Sequence, residues 1–382
     1  MGITRAATTS ASIDRTVVPA LIEVPGPAKG GRRWELVDML RGIAVLLVLF
    51  RHHDAGGVLQ EIGWIGVDLF FVLSGFLVSG LIFDEYRRTG GFDGVRFLIR
   101  RGFKIYPSFY ALIAVSALLM AVTGRTDPIM NYVAEIFFFQ NYHEGLWVHT
   151  WSLAVEEHFY LALVFAALLL IKYVKKLRWR TVVGICMLLF LLFLGLRFWT
   201  SIQLPFRVRT HFFPTHLRMD SLLAGVLLAA WNRYRPDAFR KVFGADRRLL
   251  FTAMLIFLLP LLLADFGSLT LLTIGFTGIY MAAAIAVGMA VTSAASATPG
   301  AIHRYVVRPL AWVGGISYTT YLWHLLVLLV LEILSERIGL NGSRIEFVAF
   351  VLLSIAVGEL TSRLIERPAL ALRERWYPAR GR

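Results

Sequence analysis

Residues 64–83 read WIGVDLFFVLSGFLVSGLIF. The stretch matches the ~20 residues that an α-helix needs to cross a bilayer core, and it carries one charge, Asp68. It is apolar all round, whereas a helix on the surface of a soluble domain is apolar on one stripe. Comparable runs recur along the chain, and we read spans at 36–53, 64–83, 104–123, 151–171, 181–199, 216–231, 249–264, 270–291, 312–334 and 345–365. The first is unusual in holding Asp38 and Arg41. Residues 132–139 are too short to span and are expected to lie at the surface or to re-enter. The expected fold class is therefore all-α: a polytopic transmembrane helical bundle of about ten spans. One membrane domain, 35–370, follows a flexible cytoplasmic N-terminal tail (1–34), and a basic cytoplasmic tail (371–382) ends the chain. The N-terminal tail has no apolar core of the kind a cleaved signal carries.

Composition and charge agree. Of the 382 residues, 57% are hydrophobic and 17% charged, against about 25% charged in a soluble domain. The net charge of +14 would suit a nucleic-acid binder, but its placement argues against one. With the N-terminus inside, alternate loops hold clusters such as Arg87, Arg88, Arg96, Arg100, Arg101 and Lys104, or Lys172, Lys175, Lys176, Arg178 and Arg180. The opposite loops carry only Arg51, Arg125, Arg207, Arg209, Arg337 and Arg344, an asymmetry of about five to one in the sense of the positive-inside rule. Topology thus explains the basicity, with both termini cytoplasmic and the lipid bilayer, not nucleic acid, as partner. The one cysteine, Cys186, lies in an apolar run and builds neither a disulfide framework nor a paired-cysteine zinc motif.

Polar residues inside a membrane cost several kcal/mol unless paired or hydrated, so they mark function or structural pairing. Arg41 and His52 are eleven residues apart and share a helix face at ~16 Å separation. Either they form a reaction axis, an anion held by Arg41 and His52 acting as general base, or Arg41 snorkels and His52 and His53 are interfacial. Asp68 either pairs structurally with an Arg or His or takes part in chemistry. Arg100, Arg101 and Lys104 could clamp a phosphate-rich ligand or anchor the helix on the positive side. Glu156, Glu157 and His158 open a helix that is otherwise apolar, where they could orient a base or bind acceptor hydroxyls. Arg218 and Asp220 read as a structural pair, and His324 as a satisfied bundle histidine.

Together these clusters resemble the acyltransferase-3 family of bacterial membrane O-acyltransferases, over about residues 35–370. Arg41 through His52 fits the family's Arg, ten residues, His signature and favours His52 over His53. Gly66-Val-Asp68-Leu-Phe-Phe-Val-Leu-Ser74-Gly75-Phe fits the second-helix motif, and Trp151-Ser152-Leu-x-x-Glu156-Glu157-x-Phe-Tyr160 the most recognisable one. Arg218-x-Asp220 with Ala224-Gly225, the Ser317-Tyr-x-x-Tyr-Leu-Trp-His324 run and Glu366-Arg367-Pro368 complete the set. One position departs: where the family shows Arg-x-x-Arg, this chain has Arg101 and Lys104, which keeps the charge but loses the second bidentate fork. The chain resembles the stand-alone members without an SGNH-type domain.

The resemblance implies an acyl-CoA-dependent O-acyltransferase of a bacterial cytoplasmic membrane. It would move an acyl group, acetyl by family habit, to a hydroxyl of a sugar, glycan or glycolipid. It implies His52 as general base with Arg41, Glu156 and Glu157 in the catalytic set, and Arg100, Arg101, Lys104 and Arg41 toward acyl-CoA. Asp38, Asp68, Ser74, Trp151, Ser152, Tyr160, Arg218, Asp220 and His324 would bind substrate or support the site. No metal is expected, because adjacent His52 and His53 diverge by about 100° on a helix. A proton-coupled transporter or flippase is the alternative, since intramembrane Arg, His and Glu mark those too.

Overall fold

The computed structural model describes residues 32–54, 57–124, 126–173, 179–293, 300–339 and 342–378. The expected tail at 1–31 lies outside them. Among the described residues the regular structure is all helical: α1 (Arg32–Arg51), α2 (Val58–Ile62), α3 (Ile65–Thr89), α4 (Gly94–Thr123), α5 (Ile129–Ile136), α6 (Trp151–Tyr173), α7 (Trp179–Gln203), α8 (Val208–His211), α9 (Met219–Tyr234), α10 (Pro236–Phe243), α11 (Arg247–Leu263), α12 (Phe276–Thr292), α13 (Arg308–Gly315), α14 (Ser317–Ile338), α15 (Arg344–Thr361) and α16 (Arg367–Trp376). The expected spans fall on helical segments, with 312–334 divided between α13 and α14 at Ile316. Among the described residues, seven helical stretches are long and apolar enough to cross a membrane: Ile65–Thr89, Gly94–Thr123, Val148–Tyr173, Trp179–Gln203, Leu271–Thr292, Ser317–Arg337 and Arg344–Trp376. The chain is a multi-pass helical membrane protein. The helices α9 and α11 are shorter, at 16 and 17 residues, and α1 carries Glu35, Asp38 and Arg41 within its length.

Two helices form the centre. In α3 and the stretch Leu271–Thr292, 72% of the apolar window is buried, against 11% in α7, so α7 is peripheral and presents its apolar surface to lipid. Since lipid tails are as apolar as leucine, helices associate in a bilayer by close packing. Small residues permit it here. A Cβ on Gly75 of α3 would run into the Leu222 carbonyl of α9, and one on Gly225 into the Val72 carbonyl. Gly42 of α1 and Gly314 of α13 are locked together in the same way. Gly75→Val is expected to force α3 from α9 at about 1–3 kcal/mol; the midpoint of thermal unfolding in detergent checks this, and an unshifted midpoint contradicts it.

Local chemistry sets the helix ends. Asp93 caps α4 by accepting from Arg96 N at 3.0 Å, and Gly90 and Gly124 close α3 and α4 in the left-handed conformation, with φ 72° and 67°. The cap explains why α4 starts ten residues before its apolar run: its first three turns carry the cations Arg96, Arg100, Arg101 and Lys104. Residues 132–139 fall in and just after the short helix α5, which does not span. A π-helical turn, Ser362–Glu366, joins α15 to α16, so residues 371–376 of the basic C-terminal segment are helical. That turn also places Glu366 against α4.

Candidate active site

The helix α1 ends at Arg51, and His52 follows with its backbone N–H still donating to Leu49 at 3.1 Å. The His52 Nδ1 stands 2.8 Å from the Val48 carbonyl. A carbonyl only accepts, so Nδ1 carries the hydrogen and Nε2 keeps its lone pair. The neighbouring histidine is placed differently. His53 is buried, its Nε2 3.5 Å from Glu346 Oε2, and its ring stacks on Phe350 at 6.0 Å between centroids. Glu346 is further held by Ser335 and the Gly342 N–H. The two histidines therefore face different partners, and His53 packs into the α14–α15 seam.

On the Arg41 side of this axis lies a cavity of about 220 Å³ lined by Arg41, Arg101, Lys104, Ser74, Ser152, Glu156, Tyr160 and Tyr318, with apolar side chains of α3 and α4. Arg101 donates from Nη2 to the Tyr160 hydroxyl at 2.6 Å, its guanidinium 4.4 Å above the Tyr160 ring. Tyr160 gives its single proton to Glu156 Oε2 at 3.0 Å. The contact of 2.5 Å between Ser74 Oγ and the Tyr160 hydroxyl must then have Ser74 as donor. Arg41 reaches Asp38 Oδ1 at 3.2 Å. Lys104 is paired with Glu366, the acid delivered by the π-turn, and stands 5.8 Å from the Tyr318 ring centroid.

Two expected members stand elsewhere. Arg100 does not line the cavity; it bonds Glu374 Oε1 at 2.9 Å and the Tyr377 carbonyl, strapping the C-terminal helix to α4. Glu157 follows Glu156 by one residue and so turns about 100° away, where its Oε2 accepts from Tyr106 at 3.0 Å. Nor does Glu156 serve as the partner of His52; Tyr160 and Val48 take those places.

On the other side of the axis a second cavity, of about 350 Å³, contains His52 together with Arg51, Gln60, His149 and Arg218 among the aromatic rings of Trp64, Trp151, Phe212, Phe213 and Phe266. His149, on the turn Val148–Thr150, is buried, and its Nε2 donates to the Leu322 carbonyl at 3.0 Å. His324 is fully buried; its Nδ1 donates to Tyr321 O at 2.5 Å, and its ring sits 4.9 Å from His52 and 4.8 Å from His149. The loop that carries His149 is pinned by Glu135, whose Oε2 accepts from the Leu146 N–H at 3.0 Å. Burial pushes the Glu135 carboxyl up to about 7.

Beneath this cavity runs an ion-pair network, and its pairing differs from the expected one. Arg218 does not pair with Asp220. Its Nη2 bonds both oxygens of Asp68, at 2.8 and 2.9 Å, and Ser221 Oγ adds a third bond to Asp68 at 2.9 Å. Asp220 pairs instead with Arg197 of α7 at 2.6 Å. Residues two apart on a helix point to different faces, so each finds its partner on another helix. The Arg218 guanidinium also lies 4.1 Å from the Phe276 ring centroid. Sequence reading passed over Arg197, the one charge inside the apolar run 181–199, although the rule applied to Asp68 singles it out equally. His149 carried no comparable signal, since it lies outside the apolar run that follows it.

The acyltransferase-3 family model, described as an acyltransferase domain, matches residues 34–363. The peptidoglycan O-acetyltransferase OatA of Listeria monocytogenes is 28% identical over 373 residues, covering 87% of this chain and 55% of that protein. The O-acetyltransferase OatA of Staphylococcus aureus is 25% identical over 354 residues, with 87% and 56% covered. A putative O-acetyltransferase of Staphylococcus aureus is 26% identical over 357 residues with the same coverage. The chain thus spans about half the length of the curated relatives it matches, and no solved structure matches it. The match over nearly the whole membrane bundle, with the axis from Arg41 to His52 inside it, makes the chain a member of the acyltransferase-3 family.

Proposed function

We propose that this protein is a membrane O-acyltransferase that moves an acetyl group from acetyl-CoA to a hydroxyl of a glycan or glycolipid. The observation that carries the reading is the placement of His52: a histidine whose Nδ1 is committed to the Val48 carbonyl, lining one cavity that backs onto a second lined by Arg41, Arg101 and Lys104. Cytoplasmic acyl-CoA enters from the side of the cationic cavity, its neutral acyl-pantetheine arm leading. Arg101, Lys104 and Arg41 meet its anionic groups. His52 Nε2 takes the proton of the acceptor hydroxyl, held in the aromatic cavity where rings suit sugar faces. The alkoxide oxygen bonds to the thioester carbonyl carbon, the C–S bond breaks, and the proton from His52 ends on the CoA thiolate. The Val48 carbonyl stabilises the imidazolium formed in between, and Glu156 holds Tyr160 and Arg101 in place.

Ten spans with both termini cytoplasmic put the loops rich in arginine and lysine on the acyl-CoA side, in the cytoplasmic membrane, and residues 35–370 form the catalytic domain. The glycan reading is supported by the relatives, one of which is named for acetylating peptidoglycan. Purified protein given radiolabelled acetyl-CoA and peptidoglycan fragments should produce labelled, base-labile esters; label that stays wholly in acetyl-CoA across glycan and glycolipid acceptors speaks against the reading.

The two arginines separate in the same assay. Arg101→Gln is expected to raise the apparent KM for acetyl-CoA by roughly tenfold or more, given ~1.5–3 kcal/mol for a charged hydrogen bond. Arg100→Gln, which touches the C-terminal helix, is expected to change it by less than threefold, roughly the scale of an exposed pair. Equal effects of the two would mean that the cationic cavity is not where the donor binds.

A further inference from the structure

The two cavities share two lining residues, Val67 of α3 and Tyr321 of α14. Arg41, Arg101 and Lys104 lie on one side of this pair, and His52, with Arg51 and Arg218, on the other. Tyr321 is held in place at its tip: its hydroxyl lies 2.7 Å from Ser152 Oγ and donates to the His149 carbonyl at 2.6 Å. Val67 is also buried. If the donor enters on the cationic side and His52 activates the acceptor on the aromatic side, the thioester carbonyl has to come level with this partition. The acyl carbons pass first, because CoA remains behind with the cations.

Building on that reading of the function, we infer that Val67 and Tyr321 are the residues that determine which acyl groups are transferred. They line the passage at the carbonyl and α-carbon, so their bulk selects against larger acyl groups. Whatever extends beyond them competes with the acceptor for the aromatic cavity. The bonds to Ser152 and His149 keep the Tyr321 ring across the passage, so selection does not rest on a loosely placed side chain. Neither residue exchanges a proton or forms a bond with the substrate in this scheme. Their role is steric, which separates them from His52.

The test compares kcat/KM for acetyl-, propionyl- and butyryl-CoA in the parent and in Val67→Ala, Val67→Ile and Tyr321→Leu. One methylene in an apolar site is worth about 10–200-fold in discrimination. Val67→Ala and Tyr321→Leu should therefore raise the propionyl-to-acetyl ratio by about tenfold or more, and Val67→Ile should lower it. A general loss of activity from disturbed packing would scale all three donors alike and leave the ratio untouched. Active variants that keep the parent's ratio overturn the inference while the acyltransferase reading stands. A parent that turns over no acyl-CoA removes both, and the parent's own result distinguishes that case. If Tyr321→Leu fails to fold, the two conservative Val67 variants decide the matter by the opposite signs of their shifts.

Discussion

Replacing His52 by alanine should lower kcat for acyl transfer by roughly 10² to 10⁴, the range that general-base help supplies. The protein should elute and unfold as the parent does, because the His52 ring lines a cavity and its one bond in the structure is to the carbonyl four residues earlier. His53→Ala should do the reverse. That ring packs on Phe347 and Phe350 beside Glu346, so its loss should lower the unfolding midpoint and leave the kcat of the folded fraction within a fewfold of the parent. Kinetics on material purified by size exclusion, with thermal unfolding in parallel, reads both. A His53 variant that folds well and turns over nothing would exchange the two assignments.

The second large effect is on stability. Asp68 and Arg218 are essentially inaccessible to solvent, at 0% and 1% exposure, and are bonded through two oxygens. Removing one partner of such a pair leaves an uncompensated buried charge, at a cost of about 3–5 kcal/mol. Asp68→Ala should therefore express poorly or unfold far below the parent. The double replacement Asp68→Leu with Arg218→Met should recover most of the loss, since an apolar pair of similar volume removes both charges. A stable Asp68→Asn protein without turnover would instead place Asp68 in the chemistry.

The legibility of this fold follows from the bilayer. Long apolar runs have few alternatives to membrane helices, so the stretch at 64–83 announced α3 and its neighbours. The helix ends were harder to place: α4 begins at Gly94 because Asp93 caps it, a local hydrogen bond that the hydropathy of Arg96 to Lys104 conceals. Of the candidate site, the spacing of Arg41 and His52 could be proposed because a single helical run has a known rise, and the structure ends α1 at Arg51, one residue short of His52. Pairings between helices could not be read this way. Asp68 finds Arg218 and Lys104 finds Glu366 across separations that only packing defines, and of the adjacent Glu156 and Glu157 the first bonds Tyr160 of its own helix and the second Tyr106 of α4. The choice of His52 over His53 comes from the family signature; in the structure Glu346 engages His53.

The most direct measurement is free-thiol release from acetyl-CoA by the purified protein in detergent, run beside equilibrium binding of acetyl-CoA, for the parent and for His52→Ala. Thiol release by the parent that vanishes in the variant, with binding retained in both, is the expected result. Release at the parental rate from His52→Ala would contradict the role given to that histidine. Neither release nor binding by the parent would contradict acyl-CoA as the donor and leave a transporter of a polar substrate as the better reading of the same intramembrane charges.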